Sequence, residues 1–524
     1  HLRRRHNLYP KSIFRRNKMK KISNGKRLAK NTLMLYVRMF LMMGISLYTS
    51  RVVLMQLGVT DFGIYNVVGG AVALLGFLNT SMSGATSRFL TYDIGRGDYA
   101  HLKEVFSSAM QIHLVIALIV VLVGEIVGVW FINTYLEIPL DRRFAANIVY
   151  QFSVFSAAIG IVQVPYSATL IAFERIDVYS WIEILNSFLK LGIVYVLSYS
   201  TFDKLETYSC LMFMISIVVC IIYIISCKKR FDIGGLKWKF HKNIIYPMLS
   251  FTGWDLYGNG CVVLRQQGTN ILLNQFFGVL VNAAGGVANQ VSAAVSIFAS
   301  NVTMAVRPQI IKQYAAGNIG KMQNLMSFTI ISSLLLIQVV MIPIYLNIEF
   351  VMKLWLEKVP PYATDFCKLL MIANSVNVFV TIWNIAIHAS GKIKLVSFLN
   401  GSLFLISLPV VYVVLKIDAN PNLAYILWIC VIFFVLCLSV FIAKCNIKEL
   451  SLRKIFIDCF QPIVSVGATI FVMSYLSDFW VNGIVRLLSV TVLNFLILLT
   501  LIYVIWIVPN FKGSLKKAYK YYLL

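Results

Sequence analysis

Four basic side chains lie inside long apolar stretches of the sequence, where a charge is costly: Arg38, Arg51, Lys190 and Arg265. An ionised group at the centre of a lipid-facing helix costs about 2.5–3.5 kcal/mol, so each should face a cavity or a partner. Arginine stays protonated when desolvated, and its planar guanidinium binds phosphate oxygens in pairs. These residues are therefore candidate ligands of an anionic substrate. Arg38 and Arg51 keep a simpler interpretation, because near span ends they can reach the membrane interface.

Three acidic side chains share these apolar stretches: Glu125, Glu183 and Asp255. A carboxyl group inside the membrane can carry a proton or a sodium ion, or it can balance an arginine, and Glu125 and Asp255 leave both options open. Glu183 and Lys190 are seven residues apart, on one helix face, so they can also neutralise each other through a neighbour. All three acids are candidate ion-coupling residues.

The elements that carry these residues must be membrane helices. Hydrophobic residues make up 59% of the 524 residues and charged residues only 13%. A soluble chain of this composition would lack the polar surface to cover its core. The apolar blocks are about 20 residues long, enough to cross a hydrocarbon layer of roughly 30 Å. Each block is predicted to be helical, because backbone polar groups cannot stay unpaired in lipid.

Fourteen such spans are predicted. They lie at 29–54, 62–87, 105–133, 143–172, 177–199, 205–227, 244–277, 279–306, 322–347, 362–388, 394–415, 421–444, 455–476 and 483–508.

The excess of basic residues indicates the orientation of these spans. The net charge is +26, and 35 of the 47 Lys and Arg residues fall on the side of the N-terminus and eight on the other. Basic residues hold loops in the cytoplasm. We therefore expect a multi-pass membrane protein with both termini in the cytoplasm, and no nucleic-acid partner.

The sequence gives no sign of an enzyme or of a metal site. The nine cysteines and six histidines are scattered, with no pair at metal-ligand spacing. No P-loop or hydrolase motif is present, and the longest outer loop, 348–361, is too short for a catalytic domain. We expect no cofactor and no catalytic residue.

An internal repeat divides the chain into two similar halves. Leu57-Gly58-Val59 corresponds to Phe277-Gly278-Val279 at an offset of 220, and four further matches follow in order within about one helical turn of that offset. Each repeat holds six spans, an even number, so both halves have the same orientation. Two parallel lobes of this kind suit alternating access. Both leading helices carry arginine, which predicts cationic groups on the walls of a cleft between the lobes.

The predicted organisation follows from the spans and the repeat. It comprises a basic N-terminal segment (1–28), an N-lobe (29–227), a basic linker (228–243), a C-lobe (244–444), two extra helices (455–508) and a basic tail (509–524). Because Met19 lies inside the first segment, we expect translation to start there.

The string from Ser50 to Gly70, SRVVLMQLGVTDFGIYNVVGG, resembles the opening of bacterial polysaccharide-repeat-unit flippases. These are the Wzx-type transporters, for O-antigen and capsule, of the multidrug/oligosaccharidyl-lipid/polysaccharide superfamily. The shared pattern is an arginine ending the first helix, then Leu-Gly, an acidic residue, and Phe-Gly-x-Tyr entering the second helix. The Ser87-Arg88 pair and the loop at 95–98 are also similar to that family. The sequence motifs that carry the resemblance lie between about residues 45 and 110.

This resemblance implies an all-α transporter of the bacterial inner membrane that flips undecaprenyl-diphosphate-linked oligosaccharides from the cytoplasmic to the periplasmic leaflet. It assigns Arg51 to the family's cationic cavity. Implied partners are membrane lipids, the lipid-diphosphate-linked oligosaccharide, H⁺ or Na⁺, and the polysaccharide assembly machinery, which includes lipopolysaccharide synthesis. The related drug antiporters often carry an acid in the first helix, where this chain has arginine.

Two other functions stay open. One is ion-coupled export of small amphipathic molecules. The other is a membrane-embedded polysaccharide polymerase or ligase, which would need a large periplasmic loop with catalytic residues.

Overall fold

The structure is a computed structural model, and it is all-helical in the part that it describes. That part comprises residues 24–73, 76–135, 138–231, 239–356, 359–453, 455–456, 460, 467, 469, 471–475 and 483–502. The proposed start at Met19, the segment before it, most of the predicted thirteenth span and the tail after 502 lie outside the described residues.

The chain divides into two compact units, His1–Leu256 and Tyr257–Leu524. The helices of the first unit are α1 (Asn24–Ala73), α2 (Gly76–Arg96), α3 (Tyr99–Val123), a π-helical turn (Gly124–Gly128), α4 (Val129–Tyr135), a 3₁₀ turn (Leu140–Arg142), α5 (Arg143–Ala172), α6 (Ile176–Ser198) and α7 (Lys204–Arg230). The long α8 (Lys242–Ala315) begins in this unit and continues into the next.

The second unit continues with the remaining helices in the same order as the first. These are α9 (Ile319–Leu346), α10 (Ile348–Trp355), α11 (Ala363–Ser390), α12 (Lys394–Ile417), α13 (Asn422–Asn446) and α14 (Ile484–Ile502). The short α10 occupies the region that the sequence predicts as the longest outer loop.

Glycines at matching positions bend the leading helices of both units. Gly58 interrupts α1 with φ 78° and Gly278 interrupts α8 with φ 77°. Left-handed φ values suit glycine because a Cβ there would crowd the following carbonyl. Each bend falls between two predicted spans, so α1 contains the first span and the start of the second, and α8 contains the seventh and eighth.

The helix that follows each bend also ends in the same way. Gly97 (φ 75°) and Gly317 (φ 73°) close the two helices. In both cases the next backbone N–H reaches back five residues, from Asp98 to the Asp93 carbonyl and from Asn318 to the Gln313 carbonyl. This is the Schellman arrangement, which satisfies the last carbonyls of a helix. The internal repeat is therefore a repeat of backbone geometry.

Each unit has its own apolar core. In the first unit α1, α5, α6 and α7 pack around residues such as Val149, Leu197 and Tyr223, and α2, α3 and the start of α8 pack around Leu102 and Met248. In the second unit α8, α11, α12 and α13 meet around Phe404 and Ile432. Large apolar side chains also cover the outside of the helices. An apolar exterior of this kind is what a lipid environment requires.

Eight helices of the described part are long and apolar enough to cross a membrane. They coincide with the predicted third to sixth and ninth to twelfth spans. The first, second, seventh and eighth spans lie on α1, α2 and α8, and the last lies on α14. The all-α, polytopic architecture expected from the sequence is confirmed.

Candidate substrate and ion sites

A guanidinium packed on an indole ring is the main feature of the second unit. The Cζ of Arg265 on α8 lies 3.4 Å from the centre of the Trp428 ring on α13. The Arg265 Nε is buried and forms no hydrogen bond among the described residues. Among those residues, no carboxylate lies within ion-pair distance of this guanidinium. An aromatic face stabilises a cation without using its N–H donors, so those donors stay available to an anion.

Tyr425 extends this site by a second polar group. It lies one turn before Trp428 on α13, and its buried hydroxyl also has no hydrogen-bond partner in the described part. The hydroxyl occupies space beside Gly285, where a Cβ would come within 2.9 Å of it. Phe366 on α11 packs against the Tyr425 ring with 4.4 Å between ring centres. Gly285 and Gly286 match Gly69 and Gly70 in the internal repeat, at an offset of 216. A glycine of the repeat therefore provides the room for the Tyr425 hydroxyl.

A charged cluster occupies the first unit. The Arg38 Cζ on α1 lies 5.1 Å from the ring centre of Tyr179 on α6. One turn further along α6, Glu183 accepts a hydrogen bond of 2.7 Å from the hydroxyl of Tyr223 on α7. The Tyr179 and Tyr223 rings lie 6.4 Å apart between their centres. Arg38 and Glu183, which the sequence assigns to different roles, therefore lie in one cluster.

Lys190 lies two turns beyond Glu183 on α6 and is half-buried. It forms no hydrogen bond or ion pair with the residues that the structure describes. The partner that the structure does show for Glu183 is Tyr223, and the sequence pattern alone could not identify it.

Glu125 lies in the π-helical turn that separates α3 from α4. Its Oε2 accepts a 2.8 Å hydrogen bond from Gln151 Nε2 on α5, and its Oε1 is buried without a partner among the described residues. The Tyr150 hydroxyl donates to the Gly124 carbonyl at 2.8 Å and fills the space above Gly128. Single π turns inside α-helices are frequent at functional sites.

Polar side chains continue from Glu125 along the contact of α4 with α5. Asn133 and Asn147 exchange two amide hydrogen bonds of 3.1 Å. Asn133 is exposed and Asn147 is half-buried. Asn147 is one turn before Gln151 on α5, so a polar path connects Glu125 with the exposed helix ends.

An ion-pair triad joins three segments of the first unit. Arg142 Nε donates to Asp61 Oδ1 at 2.9 Å, and Arg142 Nη1 donates to Asp203 Oδ2 at 2.6 Å. Asp61 follows the bend at Gly58 by three residues. Asp203 Oδ1 also caps α7 by accepting from the backbone N–H groups of Leu205 and Glu206.

The electrostatics of Asp203 follow from this geometry. The hydrogen bond from the Arg142 guanidinium lowers the pKa of the Asp203 carboxyl below its ordinary value, and the two capping N–H groups act in the same direction. The sequence counts Arg142 only as a loop charge, and Asp61 only as part of a motif. Their pairing across 81 residues requires the folded chain.

Two further predicted site residues lie on α1 and α8. Arg51 lies on α1, but its side chain falls outside the described residues. Asp255 is half-buried on α8, ten residues before Arg265, which is about 15 Å of helix rise. In the described part, His, Cys, Asp and Glu side chains form no group of three that could hold a metal ion.

Comparison with known proteins identifies the fold. No protein-family model matches the sequence, and no curated protein matches it. Among solved structures, an outward-facing multidrug resistance MATE family transporter of the MOP superfamily is 12% identical, with a TM-score of 0.71 over 81% of this chain and 97% of that chain.

Two further structures give the same result. A MATE transporter from Vibrio cholerae in its bent form is 15% identical, with a TM-score of 0.65 over 83% of this chain and 98% of that one. A MOP superfamily transporter from Pyrococcus furiosus, described as having a binding pocket of reverse polarity, is 12% identical, with a TM-score of 0.65 over 82% and 99%. The chain has the fold of MOP superfamily transporters, which are membrane transport proteins and not enzymes.

Proposed function

We propose that this transporter carries an anionic, lipid-linked cargo, the undecaprenyl-diphosphate-linked oligosaccharide repeat unit used in surface polysaccharide assembly. The observation that carries the proposal is the Arg265 guanidinium, which lies on Trp428 with no carboxylate partner among the described residues. An unpaired cation in a membrane helix is expensive, and this cost is offset when an anionic ligand binds.

The chemistry of the site suits a diphosphate. Arginine binds two phosphate oxygens at once and stays charged when water is removed. The Tyr425 hydroxyl, buried and without a partner in the described part, adds a donor one turn from Trp428. Aromatic rings such as these also offer flat apolar surface to sugar rings. Together they form a site for a group that is both charged and polyhydroxylated.

The first unit offers a second cation. Arg38 keeps its Nε unpaired among the described residues while it packs on Tyr179. Arg38 is 20 residues before the bend at Gly58, whereas Arg265 is 13 before the bend at Gly278. At 1.5 Å per residue these are about 30 Å and about 20 Å along the helix. The two cations therefore lie at different distances from the bends of their own units.

The energetics favour outward movement of an anion. In a cell with a negative interior, moving one negative charge outward is favoured by about 2.3 kcal/mol per 100 mV. The excess of basic residues beside the predicted cytoplasmic span ends supports a bacterial inner membrane with both termini in the cytoplasm. The diphosphate head then crosses while the polyprenyl chain stays in lipid.

The test compares Arg265→Ala with Arg453→Ala in a strain that lacks the chromosomal gene. Arg453 is an exposed arginine, so its loss controls for a change of charge alone. We expect Arg265→Ala to accumulate lipid-linked repeat units on the cytoplasmic leaflet and to reduce surface polysaccharide by about 10-fold or more. Arg453→Ala should remain like the wild type. Normal polysaccharide in a well-expressed Arg265→Ala strain would contradict the proposal.

A second candidate is ion-coupled export of small amphipathic molecules. The MATE transporters of the same fold and the buried, half-satisfied Glu125 carboxyl in its π turn support it. Its test is the drug susceptibility of the deletion strain, followed by Glu125→Gln. If the deletion strain is more susceptible to drugs, and the wild-type gene restores its resistance while the Glu125→Gln variant does not, the result would favour this candidate. Unchanged susceptibility with a polysaccharide defect would favour the flippase.

A further inference from the structure

A groove lies where α6 begins and α7 ends in the first unit. Its volume is about 260 Å³, and its lining includes Arg175, Arg230, Trp181 and Leu185. One water occupies about 30 Å³ in the liquid, so the groove can hold a group much larger than one water. None of these residues belongs to the arginine, glutamate or ion-triad sites described above.

One end of the groove is cationic. Arg175 uses its Nε and one terminal nitrogen to donate to Asp177, at 3.0 and 3.1 Å. Arg230 is exposed and forms no ion pair with a described residue. Lys228 and Lys229 precede it in the last turn of α7 and are also exposed. Four cations against the carboxylates of Glu174 and Asp177 leave this end with a net charge of +2, which attracts an anion.

The other end of the groove is apolar. Trp181 and Leu185 lie one turn apart on α6, and their side chains are 62% and 42% exposed. On a membrane helix such side chains face lipid, and tryptophan prefers the level of the headgroups. Arg175 precedes α6 directly, so the cationic end lies at the helix terminus and the apolar wall runs along the spanning segment.

We propose that this groove binds an anionic phospholipid of the surrounding leaflet, with its phosphodiester at Arg175 and Arg230 and its acyl chain along Trp181 and Leu185. The charge complementarity selects an anionic lipid, and the apolar wall selects an attached chain over a free ion. This is a resident lipid site on the outside of the first unit, and it does not depend on which cargo the protein transports.

The test measures tryptophan fluorescence of the full-length protein in phosphatidylcholine nanodiscs. A minor fraction of the lipid is brominated along its acyl chains, either as phosphatidylglycerol or as phosphatidylcholine, and bromine quenches a nearby indole. The Trp181→Phe variant isolates the contribution of Trp181 by subtraction. We expect brominated phosphatidylglycerol to quench that contribution more than brominated phosphatidylcholine does, and millimolar inorganic phosphate to leave the difference unchanged.

The matched variants are Arg230→Gln and Lys229→Gln, which remove one charge each from the same helix turn. Lys229 does not line the groove. We expect Arg230→Gln to reduce the preference for phosphatidylglycerol by about fivefold, as expected for one basic residue at an anionic surface, and Lys229→Gln to reduce it clearly less. Equal losses in the two variants, or equal quenching by the two lipids in the wild type, would overturn the proposal.

A third arm separates this site from the transport site. Arg265→Ala should keep the lipid preference, because Arg265 belongs to the second unit. Loss of the phosphatidylglycerol preference in Arg265→Ala would contradict an independent lipid site, whatever that variant does to transport.

Discussion

The two units share a backbone and differ in their polar side chains. Arg38 contacts Tyr179 in the first unit. The equivalent positions in the second unit, at offsets of 220 and 218, are Gly258 and Ser397, and these two residues also lie side by side. The contact of α1 with α6 in the first unit is thus matched by a contact of α8 with α12 in the second unit, but the arginine charge is absent there.

The same replacement extends through the cluster. Glu183 corresponds to Gly401, against which the Tyr257 ring packs closely, and Tyr223 corresponds to Phe441. Conversely, the Arg265 and Trp428 pair of the second unit corresponds to Ile45 and Cys210 in the first. In each unit an arginine of the leading helix therefore lies on an aromatic ring, but at a different helix contact.

The ion triad shows the largest difference. The positions of Asp61, Arg142 and Asp203 are taken in the second unit by Val281, Tyr362 and Pro421. Tyr362 stacks on Phe366 with 6.1 Å between ring centres. A charged link in one unit thus corresponds to an aromatic contact in the other. The repeat therefore preserves the helix scaffold, whereas the side-chain contacts at the helix ends differ between the two units.

Removing the Arg142 side chain should destabilise the first unit more than the equivalent change destabilises the second unit. Arg142→Ala leaves two partly buried carboxylates facing each other, and we expect it to destabilise the first unit by about 2–3 kcal/mol. The side chains are 18–30% exposed, so solvent screening keeps the cost below that of a fully buried pair. Amide hydrogen exchange should show the loss near α5 and α7.

Two variants control this prediction. Arg143→Ala removes an exposed neighbouring charge and should change little. Tyr362→Ala, the equivalent change in the second unit, should cost only about 1 kcal/mol, because it removes one aromatic contact. A larger effect from Tyr362→Ala than from Arg142→Ala would contradict the assignment of the triad as the stronger link.

The two bends should respond alike. Gly58→Ala and Gly278→Ala each place a Cβ at a positive φ with an extended ψ (171° and −173°), a region that is essentially restricted to glycine and costs other residues about 1–3 kcal/mol. No atom lies within 4 Å of the new Cβ at either position, so strain of the backbone is the main cause. Thermal unfolding of the two variants in the same detergent should give similar shifts. Unequal shifts would show that one bend is held by contacts that the other lacks.

Tyr223→Phe makes the first unit resemble the second, which has Phe441 there. The change removes the 2.7 Å hydrogen bond to Glu183, and we expect a cost of about 1 kcal/mol. In the Glu183→Gln background, Tyr223→Phe should cost less stability than it does in the wild type, because no carboxylate then loses its hydrogen-bond donor. Additive costs in a double-mutant cycle would show that the two side chains do not interact.

The helices and the repeat could be predicted from the sequence because hydrophobic blocks and glycine positions are local signals. The matching sequences around Gly58 and Gly278 identify these two glycines as a pair. The single helices α1 and α8 were not predicted, because a bend and a loop between two spans have the same pattern of hydrophobicity.

The candidate sites were predictable only as isolated charges. Arg265 and Arg38 stand out because a charge in an apolar block is conspicuous, but their aromatic partners are 163 and 141 residues away in the chain. Tyrosine and tryptophan are common throughout this sequence, so nothing local marks Trp428 or Tyr179. The triad was missed for a related reason: Arg142 lies at a span end, where a basic residue has an ordinary topological explanation.

The pH dependence of Asp203 gives the smallest effect. Because Arg142 and the α7 N–H groups lower the folded pKa of this carboxyl, its contribution to stability is fully present above the unfolded value of about 3.9. That contribution is lost as the pH falls through the lower, folded pKa.

We expect acid to destabilise the start of α7 below about pH 4 by about 1 kcal/mol or less. Asp203→Asn, which keeps a capping side chain without a charge, should flatten this dependence, as measured by unfolding between pH 6 and pH 3. At the equivalent helix start in the second unit, the uncharged Asn420 Oδ1 accepts a hydrogen bond from the Asn422 N–H, so the hydrogen-exchange protection factors there should stay level over the same range. A parallel acid response at both helix starts would mean that the Asp203 carboxylate is not its source.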